Sequence, residues 1–211
     1  MTPYYSDDLV TVYHGDCREV LPALDRPDAI VTDPPYGLSS IMQGGEVKWP
    51  LWERGKGKTL EWDGEAPAFV SELPALADHC IIWGGNYYPL PPARGWLVWD
   101  KIVRSFSSGH CELAWTTLDQ PVRAYNFSHG ALAVEGKFHP TQKPLDLMRW
   151  CLGFLPPDTG SIIDPFMGSG TTLRAAKDAG IRAVGVELDE RYCEIAAKRM
   201  AQEALDFGGV A

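Results

Sequence analysis

Residues 162–187 restrict the architecture of this 211-residue chain more than any other stretch. Ile162-Ile163-Asp164-Pro165-Phe166-Met167-Gly168-Ser169-Gly170-Thr171-Thr172 is an apolar strand running into a glycine-rich turn, then into a helix from Leu173 to Ala179. After Gly180 a second strand, Ala183-Val184-Gly185-Val186, ends in Glu187. Glycines let a backbone approach a ligand closely, and a helix N-terminus offers free N–H groups. An acid at the end of the next strand can accept hydrogen bonds from both hydroxyls of a ribose. The unit is of the nucleoside-binding type. It is not the dinucleotide fingerprint, whose third glycine is missing, and it is not a phosphate-cradling loop, because no Lys follows Gly170. The competing reading is an ordinary tight strand-to-helix turn.

A second constraint is Asp33-Pro34-Pro35-Tyr36, at the end of the apolar run Ala29-Ile30-Val31-Thr32. Two prolines have fixed φ and no N–H to give, so the strand stops abruptly. It projects a carboxylate, rigid carbonyls and an aromatic ring beyond the sheet. Those groups can hold a planar amino group and stack on the ring that carries it. The alternative is a proline turn with Tyr36 packing locally.

Further strands are read at Leu9–Tyr13, Cys80–Trp83, Gly95–Asp100, Cys111–Thr116 and Val122–Phe127, and helices at Cys17–Leu24, Ala66–Ala77, Pro144–Leu155 and Arg191–Leu205. On the Pro144–Leu155 helix, Leu145, Met148, Leu152 and Leu155 share a face; on the last helix Tyr192, Ile195 and Ala196 point inward. Strands alternating with helices imply an α/β fold with a mainly parallel sheet covered on both faces. Ligands of such sheets sit beyond the carboxyl ends of the strands, where strand order reverses. Asp16, Asp33, Asp164 and Glu187 all fall at or near strand ends, so one rim can gather them. At 211 residues and 45% hydrophobic the chain can bury one good core, and one domain spanning 1–211 is expected.

Taken together the two motifs resemble the DNA amino-methyltransferases that use S-adenosylmethionine. Their order, with Asp-Pro-Pro-Tyr first, resembles the beta group, and a tetrapeptide beginning with Asp resembles the adenine-N6 type. His139-Pro140-Thr141-Gln142-Lys143-Pro144 agrees with this, and the resemblance spans roughly residues 10 to 200. It implies a Rossmann-like methyltransferase fold, a seven-stranded sheet with one antiparallel strand. It implies catalytic roles for Asp33, Pro34, Pro35 and Tyr36, with Asp33 and the Pro34 carbonyl accepting the amine hydrogens and Tyr36 stacking on the base. It also implies a cofactor pocket using Phe166, Gly168, Gly170 and Thr171 at the turn, with Glu187 on the ribose. Asp16 matches an acid near the cofactor's adenine amino group, or is a turn residue. Asp164 bonds turn amides or the cofactor amine. Thr141 and Lys143 could hold the methionine carboxylate; otherwise Thr141 caps a helix and Lys143 is a solvated charge.

The substrate is expected to be DNA, as a duplex with a flipped adenine or as a single strand. Cytosine N4, RNA or a protein amide are alternatives, as is a cofactor-binding partner subunit without catalysis. The net charge of −9 fits poorly with gripping duplex phosphates unless positive charge gathers on one surface. Trp49, Trp52, Lys56 and Lys58 lie on a glycine-rich loop at about 37–61, expected to be a lid that touches nucleic acid. Asn86 ends a strand and can contact substrate or simply form a turn. Asp100 and Lys101 end another strand, where they can pair with each other or reach a phosphate. No separate recognition domain is evident, so recognition comes from a short segment, from the 37–61 loop or from a second subunit, as in a homodimer. The N-terminus has no signal-peptide pattern, no apolar run can cross a bilayer, and five scattered cysteines suggest reduced thiols. A cytoplasmic enzyme is expected.

Overall fold

Strand β3 (Ala29–Thr32) is buried along its whole length, as a strand covered on both faces must be. It pairs in parallel with β4 (His79–Trp83) on one side and with β8 (Ser161–Asp164) on the other. The computed structural model describes residues 1–37, 66–102, 109–127 and 142–202. From β8 the sheet continues in parallel through β9 (Arg182–Glu187) to β2 (Val10–His14). Beyond β4 come β6 (Cys111–Thr116), β5 (Trp96–Asp100) and β7 (Arg123–Asn126). The full order is β1-β2-β9-β8-β3-β4-β6-β5-β7, with β1 at Tyr5–Ser6.

The Rossmann-like α/β fold is as expected, but the sheet has nine strands among the described residues, not seven, and two run antiparallel. One is β6, antiparallel to both neighbours. The other is β1, paired with β2. The chain reverses between these two because Asp7 Oδ1 accepts the N–H groups of Leu9 and Val10 at 2.9 and 2.8 Å. That is the local side-chain turn an Asp favours.

The two faces follow from strand alternation. Ala29, Val31, Ile81, Trp83, Leu97 and Trp99 pack on one side, against residues of helices α2 (Leu145–Leu152), α3 (Thr171–Asp178) and α4 (Glu190–Ala201). Ile30, Cys80, Ile82, Trp115 and Ile163 pack on the other, against Val70 and Leu73, with Leu21 and Leu24 alongside. Leu21 and Leu24 follow helix α1 (Cys17–Val20).

Val70 and Leu73 sit on a 3-10 segment, Ala68–Ala75, where an α-helix from Ala66 to Ala77 was expected. Pro74 has no N–H for a bond to residue 70, so the α ladder cannot run through it. Bonds three residues apart, such as Leu76 N–H to Leu73 C=O at 2.9 Å, take over. Helix α2 ends at Leu152 before Gly153, short of the expected Leu155, and Leu147 joins its buried face. On α4 the inward stripe is Cys193, Ala196 and Met200, so Tyr192 and Ile195 lie at its flanks. Among the described residues no helix is long and apolar enough to cross a membrane.

Ile81 is fully buried in β4. Ile81→Ala should lower stability by about 2–5 kcal/mol, read as a fall in the urea unfolding midpoint.

Candidate active site

Strand order reverses between β3 and β8. The chain leaves β3 toward β4 and leaves β8 toward β9, so the loops after β3 and β8 diverge and open a crevice. Asp33-Pro34-Pro35-Tyr36 leaves the end of β3, and the glycine-rich turn leaves the end of β8. The rim expected from the sequence is real: Asp33 follows β3, Asp164 closes β8, Glu187 closes β9, and Asp16 lies two residues past β2, in register with β9.

Asp164 ties the two loops together. It is almost fully buried, and its Oδ1 accepts from Thr32 Oγ1 at 2.6 Å and from the Phe166 N–H at 3.1 Å. Thr172 adds a further side-chain hydrogen bond. Of the two roles open to Asp164, bonding a turn amide is the one seen. Burial pushes its carboxyl up to about 6 against these hydrogen bonds.

The glycine-rich turn divides into an open half and a packed half. Gly168 has φ +51°, and a side chain built on it would meet no atom within 4 Å. Its N–H donates to Glu187 Oε2 at 3.0 Å, while Glu187 Oε1 accepts from the Asp189 N–H at 2.8 Å. Burial raises the Glu187 carboxyl above its ordinary value. Gly170 has φ +78° and faces inward, where a Cβ would stand 3.0 Å from that of Ala196. Arg199 of α4 holds this side, donating to the Ser169 carbonyl at 2.7 Å and to Thr171 Oγ1 at 3.2 Å. Gly170 caps α3 without a side-chain hydrogen bond. Phe166 is half-buried beside the turn. The turn thus presents open space at Gly168 and a helix N-terminus capped by no side chain.

Asp16 serves as the cap of α1. Its Oδ1 accepts the Arg18 N–H at 2.9 Å, and its carboxylate pairs with the Arg18 guanidinium. This is the turn reading.

The Asp33 corner is held from three sides. Tyr36 Oη donates to Asp33 Oδ1 at 2.5 Å, and Tyr88 Oη donates to the Pro35 carbonyl. Tyr36 is clamped in turn. Gly84, at φ +66°, lies so close that a Cβ there would stand 2.1 Å from the Tyr36 ring. Tyr87 stacks on Tyr36 at 5.0 Å between centroids and is 45% exposed. Asn86, beside Tyr87, is exposed on the same rim.

Lys143 departs from expectation. It neither stands free to hold a methionine carboxylate nor projects into solvent. Its side chain is only 5% exposed, and Nζ lies 2.6 Å from Asp33 Oδ2, 2.9 Å from Glu112 Oε2 and 3.1 Å from Tyr36 Oη. It also sits 5.5 Å from the ring centroids of both Tyr36 and Trp83. A buried ammonium needs an anion, and the two carboxylates at the rim supply it. Next to it, Gln142 Oε1 accepts from Ser169 Oγ at 3.2 Å. Neighbouring residues of one motif thus touch both loops of the crevice.

Glu112 was not singled out from the sequence. It pairs with Lys143 and, through Oε1 at 2.7 Å, with Lys101. The only signal was an acid inside the otherwise apolar strand Cys111–Thr116. Burial would raise its carboxyl, but the two ammonium groups pull it down to about 2. Burial raises the Asp33 carboxyl, and Glu112 adds to this against the pull of Lys143. Lys143 itself, disfavoured by burial, is held cationic by Asp33 and Glu112. Burial also keeps Tyr36 a neutral phenol, raised well above its ordinary value. Thr141, Trp49, Trp52, Lys56 and Lys58 lie outside the described residues, as does the expected lid at 37–61 apart from Gly37.

A family model described as DNA methylase, of the N6/N4 type, matches residues 92–198. The Type II methyltransferase M2.DpnII of Streptococcus pneumoniae is 42% identical over 95% of this chain and 93% of its own length. The Type II methyltransferase M.ScaI of Streptomyces caespitosus is 26% identical over 96% of this chain and 84% of its own. M1.HpyAVI, solved with S-adenosylmethionine, superposes with a TM-score of 0.59 over 92% of this chain and all of that one, at 20% identity. The cytosine-N4-specific PvuII DNA methyltransferase gives 0.60 over 96% of this chain and 90% of that one, at 14% identity. At such identities these two structures show the fold alone.

The chain belongs to the N6/N4 DNA methylase family. It is a DNA methyltransferase, and its cofactor is S-adenosylmethionine.

Two outcomes test this geometry. Gly84→Ala should push Tyr36 off the Asp33 corner and slow methyl transfer roughly 100-fold, while S-adenosylmethionine binding by calorimetry stays near wild type. For Asp164, the folded chain keeps the proton up to about pH 6 and the unfolded chain only to about pH 4. Its ionisation therefore destabilises the fold as pH rises through that window. Asp164→Asn, which cannot ionise, should gain on wild type by on the order of 2–3 kcal/mol between pH 4 and pH 7, measured by urea unfolding at each pH.

Proposed function

We propose that this enzyme methylates the exocyclic N6 of adenine in DNA, with the base swung out of the duplex or taken from a single strand. The observation that carries the reading is the partly exposed carboxylate of Asp33, oriented by a buried Lys143 ammonium. The Asp33 side chain is 21% exposed, whereas its partner Lys143 is 5% exposed. Tyr36 and Lys143 fix the orientation of the carboxylate, and each of its oxygens keeps a lone pair for another donor.

The amine nitrogen of adenine is conjugated with its ring and is a poor nucleophile. Asp33 accepts one amine hydrogen and the Pro34 carbonyl accepts the other, which turns the lone pair out of conjugation. Tyr36 stacks on the base when the exposed Tyr87 swings off its face, with Asn86 on the same rim. A base must leave the stack for such contacts to form. The nitrogen that gains a methyl group must shed a proton, and Asp33, raised by burial, is placed to take it.

On the cofactor side, Phe166, Gly168 and Glu187 form the cradle, with Glu187 on the ribose, Asp16 on the same rim, Asp164 shaping the turn, and Gly170 and Thr171 packed behind it. When bound, S-adenosylmethionine supplies an electrophilic methyl group. The protein's own task is alignment of the amine with that methyl.

Asp33→Ala should reduce methyl incorporation into duplex DNA by at least about 100-fold with S-adenosylmethionine binding nearly unchanged. Digestion of the labelled DNA and mass detection should yield N6-methyladenine. Label in cytosine, or transfer only to RNA or protein, would overturn the substrate; a fully active Asp33→Ala enzyme would overturn the mechanism.

A further inference from the structure

Four charges of alternating sign run away from the amine-binding corner. Asp33 meets Lys143 at 2.6 Å, Lys143 meets Glu112 at 2.9 Å, and Glu112 meets Lys101 at 2.7 Å. Both cations are nearly fully buried, at 5% and 3% side-chain exposure. Lys101 Nζ lies 5.3 Å from the Trp99 ring centroid, as Lys143 does at similar range from Trp83 and Tyr36. The array exists because β6 is antiparallel. Its first residues, Cys111 and Glu112, pair with Asp100 and Trp99 at the end of β5, so the beginning of β6 delivers an acid to the rim where its neighbours end.

We propose that Glu112 is a positioning residue for methyl transfer: by sharing the Lys143 ammonium with Asp33, it sets how tightly the Asp33 carboxylate is bound and so how freely it accepts the substrate amine. The inference rests on the reading of Asp33 as the amine acceptor.

An ammonium with one carboxylate in reach in a buried site gives itself wholly to that carboxylate. Glu112 draws Lys143 the other way, and Lys101 offsets the charge Glu112 brings. Asp164 and the Tyr36 phenol also act on Asp33, the Cys151 thiol lies within the field of Lys143, and Tyr88 acts on Tyr36. Glu112 and Lys143 push the Asp33 proton affinity in opposite directions, Glu112 upward and Lys143 downward. The two residues therefore have signatures of opposite sign.

The test is the pH dependence of single-turnover methylation at saturating DNA and S-adenosylmethionine. Glu112→Gln should lower the rate and move the acidic limb of the profile down by roughly half a unit to one unit, because the repulsion that raised Asp33 is gone. Lys143→Gln should move any measurable limb upward. Glu112→Asp, which keeps the charge, should restore the wild-type position. If Glu112→Gln does not fold, Lys101→Met with Glu112→Gln removes the ion pair together and should show the same downward shift. A lower rate with an unmoved limb, in whichever of these two variants folds, would overturn the inference and leave Glu112 structural. That failure is separable from failure of the Asp33 reading, which is decided by the activity of Asp33→Ala.

Discussion

Ala29 and Ile30 of β3 lie in register with Ile162 and Ile163 of β8, and just past that ladder Thr32 donates to Asp164 at 2.6 Å. Two loops that start 132 residues apart in sequence therefore leave the sheet side by side and turn in opposite directions. The crevice between them is the candidate site. Asp164 does double duty, since the oxygen that takes the Thr32 proton also takes the Phe166 N–H. The start of the glycine-rich turn is thereby referenced to the strand that carries Asp33. Helix α4 fixes the far side of the same turn through Arg199 and through the close approach of Ala196 to Gly170. What remains open is the space beside Gly168, whose N–H is held by Glu187.

Electrostatics set the character of the acceptor corner. Burying charge is costly unless each ion finds a partner, and here the partners are shared. Lys143 serves Asp33 and Glu112; Glu112 serves Lys143 and Lys101. Asp33 and Glu112 both keep partial access to solvent, at 21% and 20% side-chain exposure, and burial lifts the Asp33 carboxyl against the pull of Lys143. Tyr36, kept neutral by the same burial, donates to Asp33 and presents its ring to Tyr87. The geometry of the corner is thus fixed by groups from β3, the segment after β4, the start of β6 and the segment before α2.

Much of this was legible in the chain because it is local. An apolar run cut off by two prolines can only end a strand, and a strand, two glycines and a helix in succession can only make a tight turn, so Asp33, Gly168 and Glu187 could be named with their neighbours. The apolar residues of Ala68–Ala75 do not distinguish a 3-10 segment from an α-helix; Pro74, which lacks an N–H, does. The β1–β2 reversal rests on Asp7 accepting two backbone N–H groups, a detail that periodicity does not carry.

Sequence by itself determined most of the strands and helices, the rim of acids and the two loops that meet there, since each follows from residues within about ten of one another. Only the tertiary structure decided that β6 runs against its neighbours and that Lys143 faces Asp33 and Glu112. Strand direction and the pairing of distant charges depend on how buried surfaces and counter-ions are satisfied together, and no local window of sequence contains that balance.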